Sequence, residues 1–293
     1  MRQVVLEVGD QSNEAIERDG WRQPPRDARP RLAAHRTSAL VLAGDECAFR
    51  PRRDLLDAGA DPNAAATGYT ALHVIPTVRK PGVGDNDPAP YGSGKLNSLD
   101  MVKKLVAKGA NINARMTKRV NFGLTAINTN GATPFFLAAR TADAELMRLL
   151  ASLGADPKIP NENNSTPLIA AAGLGTRSPG EDSGTEPEVM EAVQVALELG
   201  NDIDAVDDNG ETAMHGAAYK NLPAVVELLA AKGAKISVWN KKNRFGWTPL
   251  TIAEGYRFGN YKPSPPTIAA FHKVMLAAGV TPMETPESER KGR

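Results

Sequence analysis

Apolar positions along this chain come in short bursts divided by polar turns, and no burst is long enough to enclose a core alone. The plainest example is 209–236, NGETAMHGAAYKNLPAVVELLAAKGAKI. It reads as a polar turn, a short helix opened at Thr212, a tight break, a second helix from Pro223 to Lys232, and a glycine stop. A unit of this size needs similar neighbours on both sides to bury its apolar face.

Two landmarks recur at fixed places in such units. One is a Thr-Pro/Ala-hydrophobic triplet beginning at Thr70, Thr133, Thr166, Thr212 and Thr248. The other is a glycine after an apolar helix: Gly59, Gly109, Gly154, Gly200, Gly233 and Gly279. Triplet and glycine are 21 residues apart in the second and fourth units, and 39, 34 and 31 apart in the first, third and fifth. A further 12 residues lead to the next triplet after Gly154 and after Gly200, so the uninterrupted period is 33. Threonine caps the free amides of a starting helix, and proline at its first position sacrifices no hydrogen bond. Glycine takes the left-handed conformation that ends the second helix. The alanine pairs Ala138-Ala139, Ala170-Ala171 and Ala217-Ala218 let neighbouring helices approach closely.

Period, caps and glycine stops together resemble the ankyrin repeat over residues 56–280, and the long inter-helix insertions resemble its bacterial-type members. Gly68-Tyr69-Thr70-Ala71-Leu72-His73 and Gly210-Glu211-Thr212-Ala213-Met214-His215 carry the resemblance most fully. Phe136, Ile169 and Thr251 replace the signature histidine. The resemblance implies an all-α solenoid of stacked helical hairpins with β-turn fingers, about five full repeats and an N-terminal half repeat. Thr70, His73, Thr133, Thr166, Thr212, His215 and Thr248 would be its structural repeat positions. It implies little about biochemistry, because one fold hosts many functions.

The chain divides into an Arg/Pro-rich leader at 1–34, a solenoid at 35–280 and a polar tail at 281–293. The first 55 residues hold ten arginines and no lysine, in turn-rich rather than periodic sequence, and 1–34 is read as poorly ordered. Insertions are expected near 76–97, 115–129, 173–187 and 256–266, the first of them cutting the first helix of its unit short after Ile75. The insertion at 173–187 is acidic and rich in Gly and Ser, and reads as a mobile, solvated loop without calcium-loop spacing.

Charge adds little direction. Lys and Arg total 35 against 34 Asp and Glu, a net charge of +1, so nucleic acid is disfavoured as a partner. Cys47 is the only cysteine, and the four histidines are too scattered to share a metal. Gly92-Ser93-Gly94-Lys95 lacks full phosphate-loop spacing and the strand that should precede it. No catalytic residue, metal or cofactor follows from these patterns. The longest early apolar run, Ala39 to Ala43, is too short to span a membrane. A cytoplasmic location follows from the lack of a visible signal peptide, provided that Met1 is the genuine start.

The candidate binding residues lie in two enlarged turns: Arg115, Lys118 and Phe122 in one, and Trp239, Lys241, Lys242, Arg244 and Trp247 in the other. Exposed aromatics beside cations make interface anchors; packing inside the end of the solenoid is the competing explanation for either tryptophan. The leading function is noncatalytic binding of a protein or peptide through the fingers and the first-helix face, by a chain that is a monomer when alone. The alternative is a regulatory or substrate-binding part of a larger enzyme assembly, which a deep pocket uniting residues from the long insertions would favour.

Overall fold

The computed structural model describes residues 15–16, 37–38, 55–82, 97–120, 125–257, 259 and 262–283. After a helical turn at 55–57, five helical hairpins follow one another among the described residues. They are α1 (Ala71–Arg79) with α2 (Ser98–Ala107), α3 (Pro134–Arg140) with α4 (Ala144–Ser152), and α5 (Pro167–Ala171) with α6 (Glu186–Glu198). Then come α7 (Ala213–Lys220) with α8 (Pro223–Ala231), a one-turn helix α9 (Ile236–Trp239), and α10 (Pro249–Ala253) with α11 (Pro265–Ala277).

The hairpins stack in two layers. The first helices pack in the order α1, α3, α5, α7, α10, and the second helices α4, α6, α8, α11 form the other layer. Every residue of α3, α5 and α7 is buried, because each is enclosed by the units before and after it and by its own second helix. The alanine pairs of these helices are at most 1% exposed, which is what close helix approach requires. The second helices keep only one face inside: Leu146, Met147 and Leu150 in α4, and Val225, Val226 and Leu229 in α8.

The local signals act as the sequence implies. The six helix-ending glycines all have positive φ, between 72° and 98°. At Gly154 the paired bonds of the stop are present: its N–H donates to Ala151 O at 3.0 Å, and the Ala155 N–H to Leu150 O at 2.9 Å. Thr133 and Thr166 accept the backbone N–H of Phe136 and Ile169 at 3.1 and 3.3 Å.

Three expectations need correction. The stack of helical hairpins is as expected, but its β-turn fingers are not there. Among the described residues, strands occur only as the two-residue antiparallel pair β1 (Ala15–Ile16) and β2 (Thr37–Ser38), outside the repeats. The segments between hairpins are instead turns wound around one side chain. Asn161, Asp207 and Asn243 each accept, on Oδ1, the backbone N–H groups two and four residues on. Single backbone bonds then tie turn to turn: Glu162 N–H to Asn130 O, Asp208 N–H to Asn163 O, and Arg244 N–H to Asn209 O, at 2.8–3.0 Å. One rung per repeat, with side chains filling the rest, makes a ridge of turns and no ladder.

Second, α1 runs through Pro76 to Arg79. Proline's fixed φ suits a helix and costs the bond to the preceding turn. Arg79 holds the extra turn from outside, by a bidentate bond to Asp143, a 2.8 Å bond to Glu145 and a 2.6 Å bond to Ser98.

Third, the 173–184 part of the acidic insertion folds inward. Asp182, Ser183 and Thr176 are buried. Asp182 receives Arg140 at 3.0 Å and the Thr176 hydroxyl at 2.9 Å. The Lys220 ammonium donates to Ser183 O, Ser183 Oγ donates to Lys80 O at 2.7 Å, and Arg257 donates to Thr176 O at 3.2 Å. Residues from the other four hairpin units therefore fasten this one loop.

Candidate functional site

The folded insertion makes one wall of a cleft of about 520 Å³. Leu174, Gly175, Thr176 and Arg177 form that wall, and Arg119 with 126–128 closes one end. The opposite wall is the ridge of turns, presenting Asn130, Glu162, Asn163, Asn209, Arg244 and Phe245. Gly175 joins the two sides: its carbonyl accepts the Ala126 N–H at 2.7 Å, and Thr125 and Thr176 form an isolated antiparallel bridge. Its φ of +81° and the Ile127 nitrogen, 2.5 Å from where a Cβ would stand, leave room for glycine alone.

Glu211 lies in the lining and is 5% exposed. Its Oε1 accepts the Tyr219 hydroxyl at 3.0 Å and Asn243 Nδ2 at 2.9 Å. Oε2 takes no hydrogen bond among the described residues. Burial, and then the charge of Asp207, push the Glu211 carboxyl up to about 7. Asp207, buried in the same turn and bonded to Ser165 Oγ at 2.8 Å, is itself raised by burial. Behind Tyr219 the Arg257 guanidinium lies 5.8 Å from the ring centroid, and burial lowers it to about 10.

The candidate residues of the two enlarged turns do not come together in one site. Arg115 is exposed and donates to Pro160 O at 3.1 Å, Lys118 is exposed beside Gly68, and Phe122 lies outside the described residues. Trp239 is buried with its ring centroid 5.8 Å from Phe271 of α11. Trp247 is buried against Phe245, at 5.3 Å. Both tryptophans thus belong to the core, Trp239 where the last hairpin docks. Lys241 and Lys242 are exposed, away from the cleft lining. Of the seven candidates among the described residues only Arg244 lines the cleft, its guanidinium 4.7 Å over the Phe245 ring.

Sequence reasoning missed Arg177, Glu211 and Tyr219. One signal was available for Glu211: it directly precedes a signature threonine, where the other units carry Tyr69, Ala132, Ser165 and Trp247. A lone charge at that inward position marks a polar floor.

The signature histidines are structural. The Thr70 N–H donates to His73 Nδ1 at 3.1 Å, so the ring proton sits on Nε2, which faces Ala114 O at 3.0 Å and Ala132 O at 3.2 Å. His215 repeats this with Thr212 N–H and Lys241 O, both at 3.2 Å. Burial lowers both imidazoles to about 4, against weaker opposing bonds to backbone carbonyls. Among the described residues no group of three or more His, Cys, Asp or Glu is placed to hold a metal, and no helix is long and apolar enough to cross a membrane.

A family model described as ankyrin repeats (3 copies) matches residues 93–178 and 186–261. Among curated proteins, the chain is similar to Neurogenic locus notch homolog protein 1 of Xenopus tropicalis, 27% identical over 178 residues, with 53% of this chain and 6% of that protein covered. It is similar to E3 ubiquitin-protein ligase KEG of Arabidopsis thaliana, 28% identical over 176 residues, covering 54% and 9%. It is also similar to Ankyrin repeat protein OPG189 of Monkeypox virus, 43% identical over 60 residues, covering 20% and 10%. The chain thus spans a tenth or less of each of these relatives.

Proposed function

Because the chain belongs to the ankyrin-repeat family, we propose that it is a noncatalytic scaffold that binds a protein or peptide segment in the cleft between its ridge of turns and the 174–177 wall. The observation that carries this reading is the cleft itself. It is about 520 Å³, walled by segments from four consecutive units, and lined with amide and guanidinium groups on a fixed backbone. Such a surface is preorganised, so little ordering entropy is spent when a ligand enters. Asn128, Asn130, Asn163 and Asn209 supply both donors and acceptors suited to the main chain of an extended segment. The bacterial-type affiliation, the monomeric state and the cytoplasmic location stay within this proposal; the relatives described above are animal, plant and viral.

A second reading, a substrate-binding part of a larger enzyme assembly, draws on one observation. The cleft unites the 115–129 and 173–187 segments and holds a carboxyl that titrates at about 7. Against a self-contained catalytic role, the carboxyl of Glu211 bonds only Tyr219 and Asn243 among the described residues, and neither bond joins it to a histidine or a second carboxyl.

The test is capture with the full chain and with an Arg177→Glu, Arg244→Glu variant, followed by cross-linking of whatever is retained. A partner held by the parent, cross-linked to cleft residues and lost by the still-folded variant supports the reading. A partner held equally by both places binding elsewhere and overturns it.

A further inference from the structure

The cleft is unevenly charged. Arg119, Arg177 and Arg244 are exposed on three of its sides, while Glu162 and Glu211 are the acids among its lining residues. Glu162 already accepts Asn130 Nδ2 at 2.6 Å on the rim. Glu211 lies on the floor with Oε2 unoccupied among the described residues. A rim with a cationic excess above a buried carboxyl suits a ligand of one kind. We propose that the cleft takes an acidic peptide segment, its carboxylates held by Arg119, Arg177 and Arg244, with the protonated carboxyl of Glu211 donating from Oε2 to a ligand oxygen. This rests on the preceding reading and adds the chemistry of the partner.

Guanidinium groups match this role because their forked N–H donors bind carboxylates in pairs. Phe245 keeps Arg244 in place by stacking, so less side-chain freedom is lost on binding. Glu211 cannot accept from a carboxylate, so it helps only when it carries a proton. Ionised, it would set a buried negative charge against the ligand.

The surroundings of Glu211 decide when that happens. Asp207 on its own turn raises its proton affinity, Arg244 from the next turn lowers it, and the Tyr219 and Asn243 bonds also favour the ionised form. Glu162 on the preceding turn, Arg119 at one end, Arg177 on the far wall, and Arg257 behind Tyr219 complete the charged groups facing it. With the carboxyl at about 7, physiological acidification shifts it from mostly ionised to mostly protonated. If only the protonated form is competent, affinity scales with its fraction. Binding of a ligand whose own carboxylates stay ionised should tighten about tenfold from about pH 8 to about pH 6.

The experiment uses the full chain and two short fluorescent peptides, one alternating Asp and Ser and one alternating Lys and Ser, read by anisotropy across that pH range. The expected result is binding of the Asp peptide alone, about tenfold tighter at about pH 6. Glu211→Gln should bind it with the tight-limit affinity at every pH. Arg177→Gln, a rim change that leaves the floor intact, should lose about tenfold in affinity while keeping the pH slope. A pH slope unchanged in Glu211→Gln, or no slope in the parent, overturns the role of Glu211. Binding of the Lys peptide instead, abolished by Glu211→Gln, overturns the acidic ligand and leaves the cleft as the binding site. If neither peptide binds, this inference fails, and partner capture separately decides the broader reading.

Discussion

At Thr133 and at Thr212 the same problem, the free amides of a starting helix, is solved in two ways. Thr133 accepts the Phe136 N–H alone, so Thr133→Ala removes one cap and should cost about 1 kcal/mol. In the Thr212 unit, His215 also returns a bond to the Thr212 N–H and reaches Lys241 O in the next turn. His215→Ala strands the buried Thr212 N–H, takes the partner from Lys241 O and opens a cavity, so about 3 kcal/mol is expected, and the order of the two variants in urea unfolding checks the argument. Gly175→Ala tests the cleft wall in the same assay. A methyl would press on the backbone of Ile127, which cannot turn aside as a side chain can, in a conformation costly for any residue with a Cβ. About 2–3 kcal/mol is expected. These caps and stops were legible in the sequence because each depends on residues only a few positions apart. The floor of the cleft was not, since Tyr219 and Asn243, 24 residues apart, come together only in the fold, where both bond Glu211 and Asn243 also donates to the Tyr219 hydroxyl.

At the scale of elements, the 173–184 segment shows why composition misleads. Its Gly, Ser and acidic residues read as a solvated loop, and the exposed Glu181 fits that description. What draws the segment inward lies far along the chain: Arg140 is 42 residues from Asp182, Lys220 is 37 from Ser183, and Arg257 is 81 from Thr176. Local sequence carries no record of such partners. The same limit hid the extra turn of α1, held by Arg79 on Asp143, and left the choice between exposed anchor and core residue open for Trp239 and Trp247, which are buried. Buried Arg140 and Asp182 constrain each other strongly. Replacing both by apolar residues of similar size is expected to be near neutral, but removing one takes the ion pair from the other's buried charge. Asp182→Ala should therefore destabilise the chain by about 3–5 kcal/mol, with Glu181→Ala within about 0.5 kcal/mol as the matched surface change. Equal midpoints for the two variants in chemical denaturation would show that the loop is not held by its ion pair.

For the whole molecule, protons couple the scaffold to the cleft with opposite signs. His73 and His215 titrate at about 4 when folded and at 6.5 when exposed. Over that window the unfolded chain binds two protons that the folded chain refuses, so falling pH favours unfolding. Glu211 works the other way: at about 7 folded against 4.5 exposed, it binds its proton more readily in the folded chain, and acidification favours folding. Asp207, also raised by burial, adds to the opposing side nearer its ordinary value. Between about pH 5 and 6 the parent should then lose stability with a net slope near one proton, about 1.4 kcal/mol per pH unit. Glu211→Gln removes the opposing carboxyl and should steepen the loss to about 2.7 kcal/mol per unit, while His73→Phe, which copies the residue at position 136, should flatten it. Urea titrations at several pH values measure these slopes directly. Identical slopes in the parent and Glu211→Gln would mean that Glu211 titrates alike in the folded and unfolded chains, and the proton-linked cleft would lose its physical basis.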